Sequence, residues 1–366
     1  MAAELGPGWR SRFAAFDDVA AAAASLGQVH RATWPDGRSV AVKVQYPGVR
    51  EALATDVRAV SAMTRLVGLV ARGLALPPLV AELRDRLVEE LDYVHEAEAQ
   101  RRFAVAYADD HEIVVPGVVL ATGRVLVTEW LPGAPLSEVI ASGSPEDRDR
   151  AGALYQRFLV SGPERAGLLH TDPHPGNFRL LTGNSDGPAR LGVLDFGSTL
   201  PLPGGMPATF GRLIRVLLAG EPDAVAQGLR DEGFLAPGTT LGPDDARKLL
   251  DYMAPFTEPA RHEGFAFSRT WLQGQFARVN DPRSPEFGVA LRLSMPAEHL
   301  FTHRVWLGLV GVLCQLEATV PVRPVLERWL PGFTRSDAAP GVPSAAGRRT
   351  VRVHDGADIS SGNGPG

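Results

Sequence analysis

The sequence predicts an α+β fold in two lobes: a small, strand-bearing N-terminal lobe and a larger, mainly helical C-terminal lobe. Three observations predict it. RSVAVKVQ alternates, with Val40, Val42 and Val44 on one face and Ala41, Lys43 and Gln45 on the other, which is a strand period. Leu83, Leu87 and Leu91 recur every fourth residue, which is a helix period. Beyond about residue 135 the apolar spacing becomes mostly helical. We expect an N-lobe over 1–131, a C-lobe over 132–334, and a disordered tail over 335–366, where Gly, Ser, Ala and Pro dominate.

The elements follow in order. PDG at Pro35 to Gly37 marks a turn, so GQVHRATW and RSVAVKVQ read as a hairpin. A helix is expected over about Leu79 to Tyr107. GRVLVTEW, Gly123 to Trp130, reads as a further strand, and LPGAPL after it as a turn or hinge. Phe210, Leu213, Ile214, Leu217 and Leu218 trace one helix face that stops near Gly220 and Pro222. VWLGLVGVLC, Val305 to Cys314, reads as a buried core helix, because it is short and runs into Gln315 and Glu317. There is no internal repeat.

Composition excludes some function classes. The formal net charge is −5 with no long Lys/Arg run, which argues against nucleic acid as a partner. The single cysteine, Cys314, rules out an internal disulfide framework, fits a reducing compartment, and reads as a small buried apolar residue. No run reaches the roughly 18 apolar residues of a spanning helix, and the first twenty residues lack a signal-peptide pattern. The expectation is a cytoplasmic protein, with peripheral membrane association through a partner or an amphipathic face still compatible. Of 37 basic residues only Lys43 and Lys248 are lysine, so each invites a specific reason.

The chemistry concentrates in LLHTDPHPGNF, Leu168 to Phe178. His170, Asp172 and His174 alternate and so offer a metal-binding reading, and a plain polar turn is another. Phosphoryl transfer fits better. Asp172 and Asn177 are five apart, the D-x-x-x-x-N spacing of kinase catalytic loops, and Asp195-Phe196-Gly197 follows eighteen residues later. Asp172 would accept or orient the acceptor's proton, and Asn177 and Asp195 would hold magnesium through oxygen. FRLLTGNSDGPARLGVLDFG, with a Gly/Asn/Asp turn between apolar runs, reads as a hairpin that delivers Asp195 beside Asn177.

Ala41 and Lys43 share a strand face over which a nucleotide could lie, with Lys43 reaching its phosphates as a point charge. VEELDYVHEAEAQ offers carboxylates at Glu89, Glu90, Asp92, Glu96 and Glu98, and Asp92 and Glu96 are expected to share a helix face. Ahead of the first hairpin, Ala20 to Ala24, Ser25 and Gly27 stand where a glycine-rich phosphate loop would be. Such a loop would be stiffer than a glycine loop. The alternative is an alanine-rich helix, or a loop that runs into one.

In order along the chain, AAAASLGQVHRA, VAVKVQYPGV, EELDYVHEA, VLVTEWLPG, HTDPHPGNF and LDFGS resemble the UbiB/AarF (ADCK) family of atypical kinase-like proteins, over about Phe16 to Leu235. The resemblance implies a protein-kinase-like fold that binds ATP (or ADP) and Mg2+. It implies Asp172, Lys43 and Glu96 as catalytic residues, with Lys43 paired to Glu96. It implies Ala22, Ala23, Ala24, Ser25, Gly27, Ala41, Lys43 and Glu129 at the nucleotide, Asn177 and Asp195 at the metal, and Glu90 and Asp92 as the family's E-x-D pair. Partners in isoprenoid-quinone or lipid metabolism are implied too. The rivals are a catalytically weak pseudokinase and a small-molecule kinase of the aminoglycoside-phosphotransferase type. One departure stands out: only 19 residues precede Ala20 and no K-x-G-Q motif is present. Either Met1 is a late start, or this chain lacks the occluding segment that would face Glu90 and Asp92.

Overall fold

The computed structural model describes residues 1–24, 26–49, 51–52, 92–181, 187–235, 238–284 and 286–334. The expected tail therefore lies outside the described residues, as do Ser25, Glu90 and the first part, 79–91, of the segment read as a helix from Leu79.

Strands β1 (Ala15–Phe16), β2 (Ala22–Ala24), β3 (Gly27–Thr33) and β4 (Ser39–Gln45) open the N-lobe after a short helix, α1 (Ala2–Leu5). The β3–β4 hairpin pairs from Gly27↔Gln45 to Thr33↔Ser39, and Gly37 turns it with φ +89°. Helix α2 (Tyr93–Ala106) follows, then β5 (Ile113–Val114), β6 (Val118–Ala121) and β7 (Val125–Glu129). The lobe's sheet runs β1-β3-β4-β7-β6, with β2 on β3. The valine face of β4 does what its alternation requires: Val40 and Val42 pack with Val125 and Val127, under Leu5, Phe13, Trp9 and Trp34. That leaves Ala41 and Lys43 on the opposite face, turned toward α2 and the C-lobe.

Two expectations fail here. The alanine run is neither a helix nor a loop entering one: Ala22–Ala24 is extended and pairs with β3, Ala22↔Val29 to Ala24↔Gly27. Ladder hydrogen bonds to β3 override alanine's helical preference. Asp92 does not share a helix face with Glu96. It is extended (φ −115°, ψ 101°) and caps α2, its Oδ1 accepting Val94 N–H at 3.0 Å. Within the described part of the helix expected over Leu79 to Tyr107, α2 begins only at Tyr93.

β8 (Ala134–Pro135) and α3 (Leu136–Ser142) lead into the C-lobe. Its organising helix is α4 (Pro145–Ala166), capped by Ser144 at its start and closed by Gly167 in the left-handed region, φ +65°. Strands β9 (Leu168–His170), β10 (Phe178–Leu181), β11 (Arg190–Val193) and β12 (Thr199–Pro201) then lay out the loops of interest. β10 and β11 pair Phe178↔Val193, the hairpin expected from sequence. α5 (Ala208–Ala219) buries Leu213, Ile214 and Leu217 and ends at Gly220, also as expected. The Leu300–Leu316 helix lies on α4 with Val305, Leu309, Val312, Leu313 and Cys314 buried.

Candidate active site

Lys43 is the centre of the site. From the middle of β4 its Nζ donates to both Glu96 oxygens, at 2.8 and 2.9 Å, and to Asp195 Oδ2 at 2.8 Å. Three elements distant in sequence thus converge: a strand, the first turn of α2, and the loop after β11. Tyr93 lies against the ammonium, 5.0 Å from ring centre to Nζ. Burial works against the charge on Lys43, but Asp195 and Glu96 outweigh it and hold its pKa above the ordinary value. Burial pushes the Glu96 carboxyl up, to about 7, against the pull of Lys43. Asp195 is half-buried, which by itself would raise its pKa, yet Lys43 and the Gly197 N–H at 2.9 Å hold it below its ordinary value.

The second half of the site is the loop after β9. Asn177 donates from Nδ2 to Asp172 Oδ2 at 2.7 Å and to the Asp172 carbonyl at 3.2 Å. Leu194 N–H donates to the Asn177 carbonyl at 2.9 Å, which stitches this loop to the one carrying Asp195. The hairpin therefore places Asp195 beside Asn177. With the Asn177 amide N–H on Asp172, its amide oxygen is the end left for a cation. That oxygen and the Asp195 carboxylate form a hard donor set, which fits magnesium.

His170 does not act as a metal ligand. It is 2% exposed, packed among Phe158, Phe178 and Phe196, and its Nε2 lies 2.7 Å from the Asp195 carbonyl. Burial lowers its pKa, so the ring is neutral and Nε2–H donates to that carbonyl. His174 is exposed, so the two histidines of the motif face different surroundings. Among the described residues no group of three His, Cys, Asp or Glu side chains is disposed to hold a metal ion.

The remaining expected residues fall into place unevenly. Ala22, Ala23 and Ala24 form an exposed or half-buried hairpin strand on β3. Gly27 has a structural reason of its own: a Cβ there would run into the Val44 carbonyl oxygen. Ala41 shares the Lys43 face, opposite Thr128 of β7. The Glu129 carboxylate is engaged elsewhere, accepting from Gly117 N–H and Arg38 Nη1, each at 3.0 Å. Sequence reasoning missed Tyr155 and Gly308, which brace Asp172 from behind. Tyr155 O–H donates to the Pro173 carbonyl at 2.6 Å, and Gly308 leaves room for the Pro173 ring. The glycines inside VWLGLVGVLC were the one available signal of such an approach.

Comparison with known proteins bears on this geometry. The family described as the ABC1 atypical kinase-like domain matches residues 1–227. The mitochondrial atypical kinase coq-8 of Caenorhabditis elegans is 33% identical over 319 residues, 86% of this chain and 41% of the relative. The mitochondrial atypical kinase COQ8 of Saccharomyces cerevisiae is 27% identical over 328 residues, 87% of this chain and 63% of the relative. The chain thus spans about two fifths to three fifths of the length of these curated relatives. Among solved structures, a complex of Rv3197 with erythromycin from Mycobacterium tuberculosis superposes with a TM-score of 0.80 at 38% identity, covering 91% of this chain and 81% of that one.

Proposed function

The chain belongs to the family of ABC1 atypical kinase-like domains, and from that premise we propose that it binds ATP with magnesium. It then transfers the γ-phosphoryl group to an acceptor or to water, in support of isoprenoid-quinone or lipid metabolism. The observation that carries this reading is Lys43 Nζ, held between Glu96 and Asp195 at hydrogen-bond distance. A lysine fixed this way presents a charge to phosphates and can exchange its Asp195 contact for one of them.

In the proposed reaction Asp172, oriented by Asn177, takes the acceptor's proton. Glu96 keeps Lys43 aimed into the cleft, and His170 holds the Asp195 backbone. Asn177 and Asp195 would hold magnesium, which would neutralise charge on the phosphates. Peripheral membrane association is compatible with this reading, and no helix among the described residues is long and apolar enough to cross a membrane.

Thermal stabilisation by ATP and by ADP, with and without magnesium, tests the proposal on the parent chain and Asp195→Asn. Binding to the folded state raises the midpoint by mass action. We expect a magnesium-dependent rise in the parent that the variant loses. No rise in a folded parent would refute the reading. Turnover by Asp172→Asn separates an enzyme, which loses it while still binding nucleotide, from a pseudokinase.

A second reading is favoured by the erythromycin complex of the similar structure. Here the chain takes a large, hydroxyl-rich, apolar small molecule as acceptor or ligand. Erythromycin titrated with and without ATP tests it: a midpoint rise supports the reading, and none removes it.

A further inference from the structure

We propose that His174 is a catalytic residue, a fixed N–H donor to the phosphoryl group in transit. The proposal rests on the phosphoryl-transfer reading above. His174 Nδ1 accepts the Gly176 N–H at 3.1 Å. A ring nitrogen that accepts carries no proton, so the N–H that His174 has to offer is on Nε2. The ring is exposed, and it stands two residues from Asp172.

Capping alone does not account for an imidazole here. His174 caps the short 3-10 turn Pro175–Asn177. Serine, aspartate or asparagine would serve that purpose as well or better. Instead the turn is shaped to the ring: a Cβ at Gly176 would lie 2.9 Å from Nδ1 and 3.1 Å from Cε1. Pro173 and Pro175 flank the residue and restrict the backbone on both sides. Pro173 is itself clamped, by the Tyr155 hydroxyl at 2.6 Å and by the Leu300–Leu316 helix closing on its ring at Gly308. The loop therefore divides its two histidines by task. His170 points inward and fixes Asp195, while His174 stands on a rigid mount and points its remaining N–H outward.

The step balances simply. The acceptor's proton goes to Asp172 as its oxygen bonds to the γ-phosphorus. The bond from that phosphorus to the bridging oxygen breaks, and ADP leaves with the electron pair. His174 keeps its proton throughout and hydrogen-bonds a non-bridging oxygen as charge redistributes. Loss of one such pre-positioned donor lowers kcat by roughly 10²–10³-fold.

The test compares His174→Ser, which keeps an acceptor for the cap but removes the ring donor, with His174→Asn, which returns an amide N–H. Magnesium-ATP turnover, ADP affinity and thermal midpoint are measured for both and for the parent. The expected result is a His174→Ser kcat down by about 100-fold, with ADP affinity and midpoint unchanged and His174→Asn partly recovered. A His174→Ser kcat within about twofold of the parent, far short of a lost donor, overturns the assignment and leaves phosphoryl transfer intact. A joint fall of midpoint and kcat, with Asn no better than Ser, also overturns it and reduces His174 to a cap. A parent that binds neither nucleotide refutes the transfer reading and the assignment with it.

Discussion

Helix α2 carries a buried ion cluster at each end, and the two are built with opposite charge balance. At the front, two carboxylates, Glu96 and Asp195, share one ammonium, Lys43. At the rear, just past Tyr107, one carboxylate, Asp110, takes four donors: Arg157 at 2.6 Å, Arg165 at 2.5 Å, and the N–H groups of Glu112 and Ile113 at 3.0 Å each. The Glu96 and Asp110 side chains are 4% and 5% exposed, but Glu96 lies the deeper of the two, so depth as well as partners sets them apart. Burial would raise both. At Asp110 the arginine and backbone donors overcome it and bring the carboxyl down to about 2. At Glu96 the shared lysine and a Phe196 N–H do not, and the carboxyl stands at about 7. The rear is a closed anchor. The front is short of positive charge, which suits the magnesium ion of the proposed reaction.

The largest expected effect breaks the anchor. Asp110→Asn leaves Arg165 facing a neutral amide and Arg157 with only Glu112, 3.2 Å away, and removing one partner of a buried ion pair costs about 3–5 kcal/mol. Urea unfolding of parent and variant measures it, and a loss under about 1 kcal/mol would place Asp110 with ordinary surface pairs. The pH dependence has a definite sign. The folded-state carboxyl lies below its unfolded value of 3.8, so its contribution is complete above that pH and disappears as pH falls toward about 2.

Glu96→Gln should act in the opposite sense. The Glu96 carboxyl titrates at about 7 when folded and at 4.5 when unfolded. Its contribution to stability is therefore complete below 4.5 and is lost as pH rises through about 7. The unliganded parent should weaken across that window, and Glu96→Gln should flatten the slope. The same variant should lose much of the nucleotide-induced midpoint rise, because Lys43 is no longer aimed. A destabilised variant at pH 8 with normal nucleotide response would show that the front, too, is merely structural. Strain at a ligand site, offset by rigidity elsewhere, is the usual arrangement where stability and activity compete.

The two ends also differed in how legible they were. The front was readable from spacing: Asp172 with Asn177 in one loop, Asp195 across a hairpin, and Lys43 as one of only two lysines. Choosing Glu96 among five nearby carboxylates needed the family resemblance, since local reading paired it with Asp92, which proves to be the cap of α2. Pairing partners decide such cases, as they did for the alanine strand, whose propensity pointed to helix while β3 dictated extension. The rear was invisible. Asp110 meets Arg157 and Arg165 across 47 and 55 residues, and nothing local in DDHEI indicates which arginines those will be.

The smallest effect sharpens the comparison most. The rear is finished by exchanged caps: Arg102 of α2 donates to the Ala166 carbonyl at the end of α4, at 2.8 Å, while Arg165 of α4 donates to the Ala106 carbonyl at the end of α2, at 3.1 and 2.8 Å. A cation at a helix C-terminus also meets the favourable end of the helix dipole. Arg102→Ala removes one cap and leaves Asp110 and its arginines in place, so the expected loss is about 0.5–1 kcal/mol. If the anchor only holds α2 and the front is set by its own contacts, the nucleotide-induced midpoint rise stays that of the parent. Should the rise shrink along with stability, α2 transmits strain from rear to front, and Glu96 is aimed at Lys43 partly by arginines at the far end of its helix.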